Sequence, residues 1–301
     1  MLNLKKLLSR NVREKLMYSL FWLPDEPYIR LFYFATTGRK LNLKNPVTFE
    51  DKQQWLKLHD HNAGYTKLAD KYLVRKHIKR TIGEGYSFPL LGRWQKFDEI
   101  DFNVLPEQFV LKCNHDSGSV RVIKSKSSLR DEDYVQLKKH FDKRVRRNFY
   151  YAGREFPYKN IKPCIIAEKY MIDSKQKTSS LNDYKFFCFN GVPKIVLIVT
   201  DRAIDCRYDF YDMNFNHLDL RYGKSRDDDR IQEPEFFSEM KKIATKLSEG
   251  IPFVRIDLYE IDGKVYFGEY TFFDGGGFQW LQPDRWEYKM GSWLQLPKLN
   301  S

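Results

Sequence analysis

The spacing of apolar residues along the chain predicts a mixture of helices and strands. Residues 2–20, 128–148 and 235–249 repeat apolar side chains every three or four positions, which is the period of an amphipathic helix. Residues 108–114 and 163–171 are short apolar runs of the length typical of strands. We therefore expect an α+β protein.

Two further segments have the pattern of β-hairpins. Residues 183–189 and 192–199 flank an Asn190-Gly191 pair. Residues 253–278 contain a strand, a turn at Asp262-Gly263, a second strand and a glycine-rich exit. Asn-Gly and Asp-Gly are strong hairpin signals because glycine adopts a positive φ at no steric cost.

The second hairpin carries polar residues among apolar and aromatic neighbours. Arg255 and Asp257 lie two positions apart on its first strand, and Glu269 and Thr271 lie two positions apart on its second. If the loop comprises residues 261–263, residue 255 lies opposite residue 269, and all four side chains share one face. A strict two-residue loop would put the two pairs on opposite faces, so the prediction of a site depends on the longer loop.

Two carboxylates and a hydroxyl beside an arginine suit Mg²⁺ that is held together with substrate phosphates. The arginine would stabilise negative charge on a group in transfer. The alternative is an ordinary hairpin whose charged side chains form solvated ion pairs.

A second candidate site lies earlier in the chain. Lys112 is on the predicted strand 108–114, residues 115–118 form a turn, and residues 119–123 form a second strand. Ser117, Gly118 and Ser119 make the end of this turn small and flexible. A lysine on a strand can reach phosphate, while backbone N–H groups of such a turn close over it. The turn lacks the spacing of a Walker A loop and the helix that should follow it. A plain hairpin is the alternative.

Charge is distributed unevenly along the 301 residues, whose net charge is +12. Residues 1–162 contain 33 Lys and Arg against 18 Asp and Glu, whereas residues 163–301 contain 19 against 22. This asymmetry indicates an anionic partner on one side of the molecule. No recognisable nucleic-acid module accompanies it, so we expect no specific nucleic-acid binding.

The chain has no apolar run of membrane-spanning length, and its start lacks the apolar core and cleavage site of a signal peptide. Its four cysteines are widely spaced without a CxxC pair, which indicates buried thiols in a reducing cytoplasm. The basic amphipathic segment 2–20 either packs on the protein or lies on an anionic inner membrane surface.

Three segments resemble the TupA-like branch of the ATP-grasp superfamily, the type found in teichuronopeptide and capsule clusters. They are DKYLVR at residues 70–75, KCNHDSGS at residues 112–119 and FVRIDLYEIDGKVYFGEYTF at residues 253–272. The resemblance runs from about residue 44 to the end. Asp116 replaces a glycine usual in the family's loop, and Thr271 replaces an asparagine common in the superfamily. The second departure leaves open whether one or two metal ions bind.

The resemblance implies an ATP-grasp fold, in which two α+β lobes enclose a nucleotide cleft. We expect a basic helical extension over residues 1–65 and a catalytic region over residues 66–301. The lobes of that region would cover about 66–165 and 166–301. Residues 280–299 are expected to form a loop-rich tail that covers the site.

The resemblance also implies roles for individual residues, with ATP and Mg²⁺ as cofactors. Metal ligands would be Asp257, Glu269 and Thr271, and the charged groups of catalysis would be Arg255 and Lys112. The nucleotide would be bound by Lys71, Lys112, Ser117, Gly118, Ser119, by the hinge residues Glu168, Lys169, Tyr170 and Met171, and by Asp183 and Lys185. For Lys71, a surface helix with Asp70 as its cap is the alternative.

The implied activity is an ATP-dependent carboxylate–amine ligase that joins a uronate of an acidic surface-polysaccharide precursor to an amino acid or amine. Three other functions stay open at this point. They are a sugar phosphotransferase with the same ATP site, a glycosyltransferase that uses Asp227-Asp228-Asp229, and a non-catalytic polyanion-binding protein. The sequence also leaves the oligomeric state open.

Overall fold

The computed structural model of the protein describes residues 10–175, 180–202, 205–221 and 231–298. The helices in this part of the chain are α1 (Arg10–Ser19), α2 (Asp25–Thr37), α3 (Phe49–His59), α4 (Gly64–Ala69), α5 (Val74–Ile82), α6 (Asp131–Val145), α7 (Tyr150–Gly153), α8 (Phe237–Ser248) and α9 (Arg285–Trp293). Single 3₁₀ turns span Phe97–Glu99, Phe102–Val104, Phe156–Tyr158 and Asp274–Gly277.

The strands form two antiparallel sheets, so the α+β prediction is confirmed. They are β1 (Leu90–Trp94), β2 (Phe109–Cys113), β3 (Arg121–Ile123), β4 (Ile165–Lys169), β5 (Asp183–Phe189), β6 (Val192–Thr200), β7 (Arg207–Asp212), β8 (His217–Leu218), β9 (Phe253–Ile261) and β10 (Lys264–Thr271). The smaller sheet has the order β1-β4-β2-β3, and the larger has the order β10-β9-β5-β6-β7-β8.

The main hydrophobic core lies against the larger sheet and includes residues from both ends of the described chain. Every residue of the central strand β5 is buried, as expected for a strand covered on both faces. Phe49 and Leu56 of α3 belong to this core, together with Trp286 of α9. Helix α3 thus packs with the larger sheet, although it precedes residue 66. The predicted lobe boundary near residue 165 falls at the start of β4, which pairs within the smaller sheet.

Two local expectations are wrong. Residues 280–299 are not a loop-rich cover, because Arg285–Trp293 form α9, which packs against α3 and buries Trp286 and Met290. Helix α6 begins at Asp131 and not at residue 128, because the backbone N–H of Arg130 donates to the Asp133 carboxylate (3.0 Å) and starts the helix there.

The N-terminal helix is described from Arg10 onwards, and residues 1–9 of the predicted segment 2–20 lie outside the described residues. No helix in the described part of the chain is long and apolar enough to cross a membrane. The four cysteines are free thiols, three of them buried, as predicted.

The hairpin β9–β10 differs from the prediction in its loop and in its pairing register. Its loop is the strict two-residue Asp262-Gly263, with φ of 50° and 76°, so the predicted three-residue loop is wrong. The pairing register then shifts between Phe267 and Glu269, which leaves Gly268 as an extra residue on β10. Because this bulge moves the later residues by one position, Glu269 lies opposite Asp257 and Thr271 lies opposite Arg255. The four polar residues therefore share one face after all.

Gly268 is required by the packing at this bulge. A Cβ at position 268 would lie 2.7 Å from a ring carbon of Tyr259 and 3.1 Å from the carbonyl oxygen of Asp257. Only glycine allows the two strands to approach in this way.

We predict that Gly268→Ala lowers the free energy of unfolding by about 1–3 kcal/mol, since it introduces a clash into a packed strand pair. Chemical denaturation measures the effect. Val192→Ala, at an exposed position of β6, is the control and should change stability by less than about 0.5 kcal/mol. A Gly268→Ala protein as stable as the wild type would show that the bulge does not need glycine.

Candidate functional site

A cavity of about 670 Å³ lies between the two sheets. Strands of the smaller sheet contribute Lys112 and Glu168 to its lining, and strands of the larger sheet contribute Asp183, Lys185 and the β9–β10 hairpin. Of the residues that the sequence singled out, those that line the cavity are Lys71, Lys112, Ser117, Gly118, Ser119, Glu168, Lys169, Tyr170, Met171, Asp183, Lys185, Arg255, Asp257 and Glu269. Thr271 is not among the lining residues, although its hydroxyl accepts a hydrogen bond from the lining residue Arg255.

Arg255 is the centre of the charged cluster on the hairpin. Its Nε and Nη2 donate to the two oxygens of Asp257 at 2.7 and 2.8 Å, and its Nη2 also donates to the Thr271 hydroxyl at 3.1 Å. Its Nη1 donates to Asp274, which follows the hairpin. Burial disfavours the charge on Arg255, but the charges of Asp257 and Asp274 outweigh burial and raise its pKa. These contacts fix the planar guanidinium in one orientation.

Asp257 is shared with the neighbouring strand β5. Lys185 of β5 lies opposite Asp257 in the sheet and donates to its Oδ2. The same ammonium group lies 2.7 Å from Asp183, which also binds Arg202 at 2.5 Å. Burial raises the pKa of Asp183, while Lys185 opposes that shift. The Asp183 Oδ1 atom is buried without a hydrogen-bond partner among the described residues.

Glu269 lies opposite Asp257 and is held by Lys71. The Lys71 ammonium is 3.3 Å from Glu269 Oε2 and donates to the carbonyl of Asp116 at 2.9 Å. Burial alone would raise the pKa of Glu269, but Lys71, Lys185, Arg255 and Lys112 together lower it to about 2. Glu269 is therefore ionised at neutral pH and can serve as an oxygen ligand.

These residues fit Mg²⁺ that is bound together with phosphates. No group of three or more His, Cys, Asp or Glu side chains among the described residues could hold a metal ion by itself. The site instead offers one pair of facing carboxylates, Asp257 and Glu269. Mg²⁺ in phosphate-transfer sites is usually held by one or two carboxylates plus substrate phosphates, so this donor set suits it.

The hinge segment at the end of β4 also lines the cavity. Glu168 receives Lys112 at 2.6 Å and Arg75 at 3.6 Å, so the strand lysine and the hinge acid form one unit. Lys169 donates its backbone N–H to the carbonyl of Pro89 at 2.9 Å, which ties the hinge to the start of β1.

Buried side-chain contacts hold the turn at residues 116–119 in place. Asp116, the residue that departs from the family pattern, is 4% exposed and points into the protein, where it accepts the Ser119 hydroxyl at 2.5 Å and meets Arg144 at 3.2 Å. Its charge is thereby neutralised by Arg144. The Ser119 hydroxyl in turn accepts the backbone N–H of Cys113 at 2.9 Å. Ser119 can therefore contact a ligand through its backbone, while its side chain holds the turn.

The cavity fits a nucleotide in size and chemistry. Apolar side chains line part of it, namely Val110, Val122, Met171 and Leu197. The cationic residues Lys71, Lys112 and Lys185 line the same cavity and can bind phosphates. The unpartnered Asp183 Oδ1 can accept a hydroxyl of a sugar.

Sequence reasoning missed several residues of the site. Asp274 fixes Arg255, Arg202 binds Asp183, and Tyr208 and Tyr259 line the cavity. Asp274 lies shortly after the hairpin and precedes three glycines, so the sequence contained a signal that could have identified it as a site residue. Arg202 lies after the end of β6, and no spacing in the sequence connects it with Asp183.

Comparisons with known proteins identify one family and several solved structures of partial similarity. The pattern of the family described as TupA-like ATPgrasp matches residues 51–295. Similar solved structures include a D-alanine–D-alanine ligase from Bacillus anthracis complexed with ATP, with 17% identity, a TM-score of 0.41, and coverage of 68% of this chain and 54% of that one. The ATP-grasp ligase PsnB with a precursor variant, Mg and ADP has 9% identity, a TM-score of 0.42 and coverage of 70% and 52%. An L-amino acid ligase from Bacillus licheniformis has 12% identity, a TM-score of 0.39 and coverage of 70% and 42%.

The aligned part of the chain thus spans about half the length of these structures. No curated protein matches the chain in a sequence comparison.

We predict that Lys112→Met abolishes stabilisation by ATP and Mg²⁺, since it removes a cation from the phosphate region. For the wild type, ligand at 100 times its dissociation constant should stabilise by ~2.7 kcal/mol, measured as a shift of the melting temperature. Without ligand the variant should be somewhat less stable, because Glu168 keeps only the more distant Arg75. The ATP-dependent shift is therefore compared within each protein.

Lys194→Met is the matched control, because Lys194 is an exposed lysine on β6 outside the cavity. An unchanged ATP-dependent shift in Lys112→Met, or stabilisation of the wild type by UDP-sugars and not by ATP, would contradict this assignment.

Proposed function

The chain belongs to the TupA-like ATP-grasp family, the family that its sequence resembles, and from this membership we infer a specific ligase reaction. As a member it has the ATP-grasp fold, and we propose that it is an ATP-grasp ligase. We propose that it activates a uronate carboxylate of an acidic surface-polysaccharide precursor as an acyl phosphate. An amino acid or amine then displaces the phosphate and forms an amide.

One observation carries the proposal. Apolar side chains, the hinge after β4, three lysines and the hairpin carboxylates all line a single cavity. This set of groups offers what ATP needs, namely an apolar surface for adenine, cations for the phosphates and carboxylates for a metal ion, and we place the group that receives the phosphoryl at the hairpin. The nucleotide is expected at the hinge residues Glu168–Met171, with Lys71, Lys112 and Lys185 on its phosphates.

Each residue then has a physical task. Asp257 and Glu269 would hold Mg²⁺, which when bound neutralises charge on the β- and γ-phosphates. Arg255 keeps its guanidinium beside both carboxylates, where it stabilises the charge that develops on the transferred phosphoryl group. The turn at 117–119 offers backbone N–H groups that close over the phosphates and exclude water.

An acidic glycan as the carboxylate substrate is supported by the surface of α6. Lys139, Lys143 and Arg146 follow one another at helical spacing, are exposed, and form no ion pair among the described residues. Arg144 of α6 and Arg147, which follows the helix, instead bind Glu14. The free basic stripe would attract a polyanionic chain at low ionic strength.

We further propose that the protein binds peripherally to the anionic inner face of the plasma membrane. Phe21 and Trp22, between α1 and α2, are 60% and 67% exposed, and Phe34 on α2 is 61% exposed. The buried Arg154 donates to the carbonyls of Leu20 (2.9 Å) and Leu23 (3.0 Å), which holds this loop in place. Exposed aromatic residues beside basic segments are typical of membrane-surface anchors.

The other candidate functions have less support. A phosphotransferase would use the same ATP site but needs no amine. The glycosyltransferase hypothesis rests on Asp227-Asp228-Asp229, which lie outside the described residues.

We predict that Asp257→Asn lowers turnover by at least ~10²-fold, because it removes a ligand of the metal and a partner of Arg255. The assay is ATP-dependent phosphate release with oligogalacturonate and a panel of amino acids. Glu269→Gln should have a similar effect, and the double variant should be little worse than either single variant, since both residues act in one unit.

Asp262→Asn is the control, because Asp262 is in the turn of the same hairpin and binds Ser174 outside the cavity. Retained turnover in Asp257→Asn would show that Asp257 is not a ligand of the metal and that the hairpin cluster has only a structural role.

We predict that the protein co-sediments with vesicles that contain anionic lipid and much less with neutral vesicles, since each basic residue near such a surface contributes about 1 kcal/mol. Replacing Phe21 and Trp22 by serine should weaken this binding. Val104→Ser is the control, because Val104 is 73% exposed elsewhere on the protein. Equal partitioning to both vesicle types, or to neither, would contradict the membrane proposal.

A further inference from the structure

Glu155 is a buried carboxylate that the functions assigned so far do not use. It lies between α7 and the 3₁₀ turn Phe156–Tyr158, and it is 6% exposed. Its carboxylate forms no hydrogen bond and no ion pair with any of the residues that the structure describes. Buried carboxylates are almost always paired, so a site that leaves one unpaired calls for an explanation.

Glu155 lies against the glycine turn that follows the hairpin. Its Oε1 atom would be 3.6 Å from a Cβ placed on Gly276. Three successive glycines in this turn, Gly275–Gly277, have φ between 57° and 69°, which only glycine adopts freely. The turn carries no side chains that could cover the carboxylate, and Gly275 is exposed while Gly276 is half-buried.

The turn itself is held from its other side by α3. Lys57, 2% exposed, donates to the carbonyl of Gly276, and Gln54 donates to the carbonyl of Gly277. The Lys57 ammonium is thus committed to the backbone and to the face of the Phe278 ring, 4.0 Å from its centroid. It does not form an ion pair with Glu155 in the described part of the chain.

Glu155 is not a lining residue of the cavity, but it lies close to the hairpin that lines it. The charges of Asp274 and Glu269 reach it, and burial together with these charges raises its pKa to about 7, against the opposing effect of Lys57. Under the proposed function, the acyl phosphate forms next to the hairpin carboxylates. The amine has to reach the acyl carbon there, and Glu155 with the exposed Gly275 of the neighbouring turn lies next to this hairpin.

We propose that Glu155 and the Gly275–Gly277 turn form the binding site for the amine substrate, and that the amine is a primary ammonium compound. This inference rests on the proposed ligase function. The carboxylate of Glu155 pairs with the ammonium group and accepts one of its protons. The freed lone pair attacks the acyl carbon, so that a C–N bond forms while the C–O bond to phosphate breaks. Phosphate leaves with the bonding electrons and takes the second proton of the nitrogen.

The test separates this role from the activation of the carboxylate by using two nucleophiles. The carboxylate probe is oligogalacturonate with ATP and Mg²⁺. Hydroxylamine is uncharged at neutral pH and needs no base, and it traps an acyl phosphate as a hydroxamate. L-Lysine and ethanolamine are alkylammonium compounds, and mass spectrometry detects their amides.

We predict that Glu155→Gln lowers amide formation from the alkylammonium probes by ~10²-fold or more, while hydroxamate formation stays within about threefold of the wild type. Glu155→Asp should restore part of the amide formation. Glu287→Gln is the control. Glu287 is equally buried, with a pKa raised by burial to about 7, but it is fully bonded to the backbone N–H groups of Glu50 and Leu281. Its replacement should lower stability without changing the ratio of the two products.

Equal losses of both products in Glu155→Gln, or no loss of either, would overturn the inference while the ligase function stands. Absence of hydroxamate from the wild-type protein would overturn the proposed function and, with it, the role of Glu155.

Discussion

The bidentate contact between Arg255 and Asp257 is the interaction on which the site depends. Both residues are buried, and each is the bidentate partner of the other. Each of the two charges stabilises the other in a place where an unpaired charge would be costly. The same pair organises its neighbours. Asp257 binds Lys185 on the next strand, and Arg255 binds Asp274 in the glycine turn.

The cavity is therefore lined by ion pairs of carboxylates with lysine and arginine, and these pairs suggest how ATP and a metal ion bind. Each carboxylate that lines the cavity is paired with a lysine or arginine, as for Glu269 with Lys71 and Glu168 with Lys112. Phosphates compete for the same cations, and a divalent metal competes for the same carboxylates. Binding of the two together can exchange internal ion pairs for ligand contacts, so that no buried charge loses its partner. A nucleotide without the metal would leave carboxylates uncompensated.

Much of this arrangement could be predicted from the sequence, and the failures have physical causes. Asn190-Gly191 and Asp262-Gly263 located both hairpins, because their backbone requirements are local. The prediction that the polar residues of β9 and β10 share one face is correct, but the predicted loop is not. The loop is one residue shorter than expected, and the bulge at Gly268 restores the register. A bulge depends on how Tyr259 packs across the strand pair, which spacing does not reveal. Arg202 and Glu155 were missed because their partners, or lack of partners, arise only from tertiary contacts.

The central claim is that Asp257 and Glu269 hold a metal ion against the phosphates of ATP. A crystal structure of the protein with AMP-PNP and Mn²⁺, with the anomalous signal of manganese mapped, tests it most directly. The account predicts one anomalous peak between the carboxylates of Asp257 and Glu269, with Lys71 turned from Glu269 to phosphate and adenine at the hinge after β4. A peak bound elsewhere, or a nucleotide bound with the Lys71–Glu269 and Arg255–Asp257 pairs unchanged and no metal between the carboxylates, would contradict it.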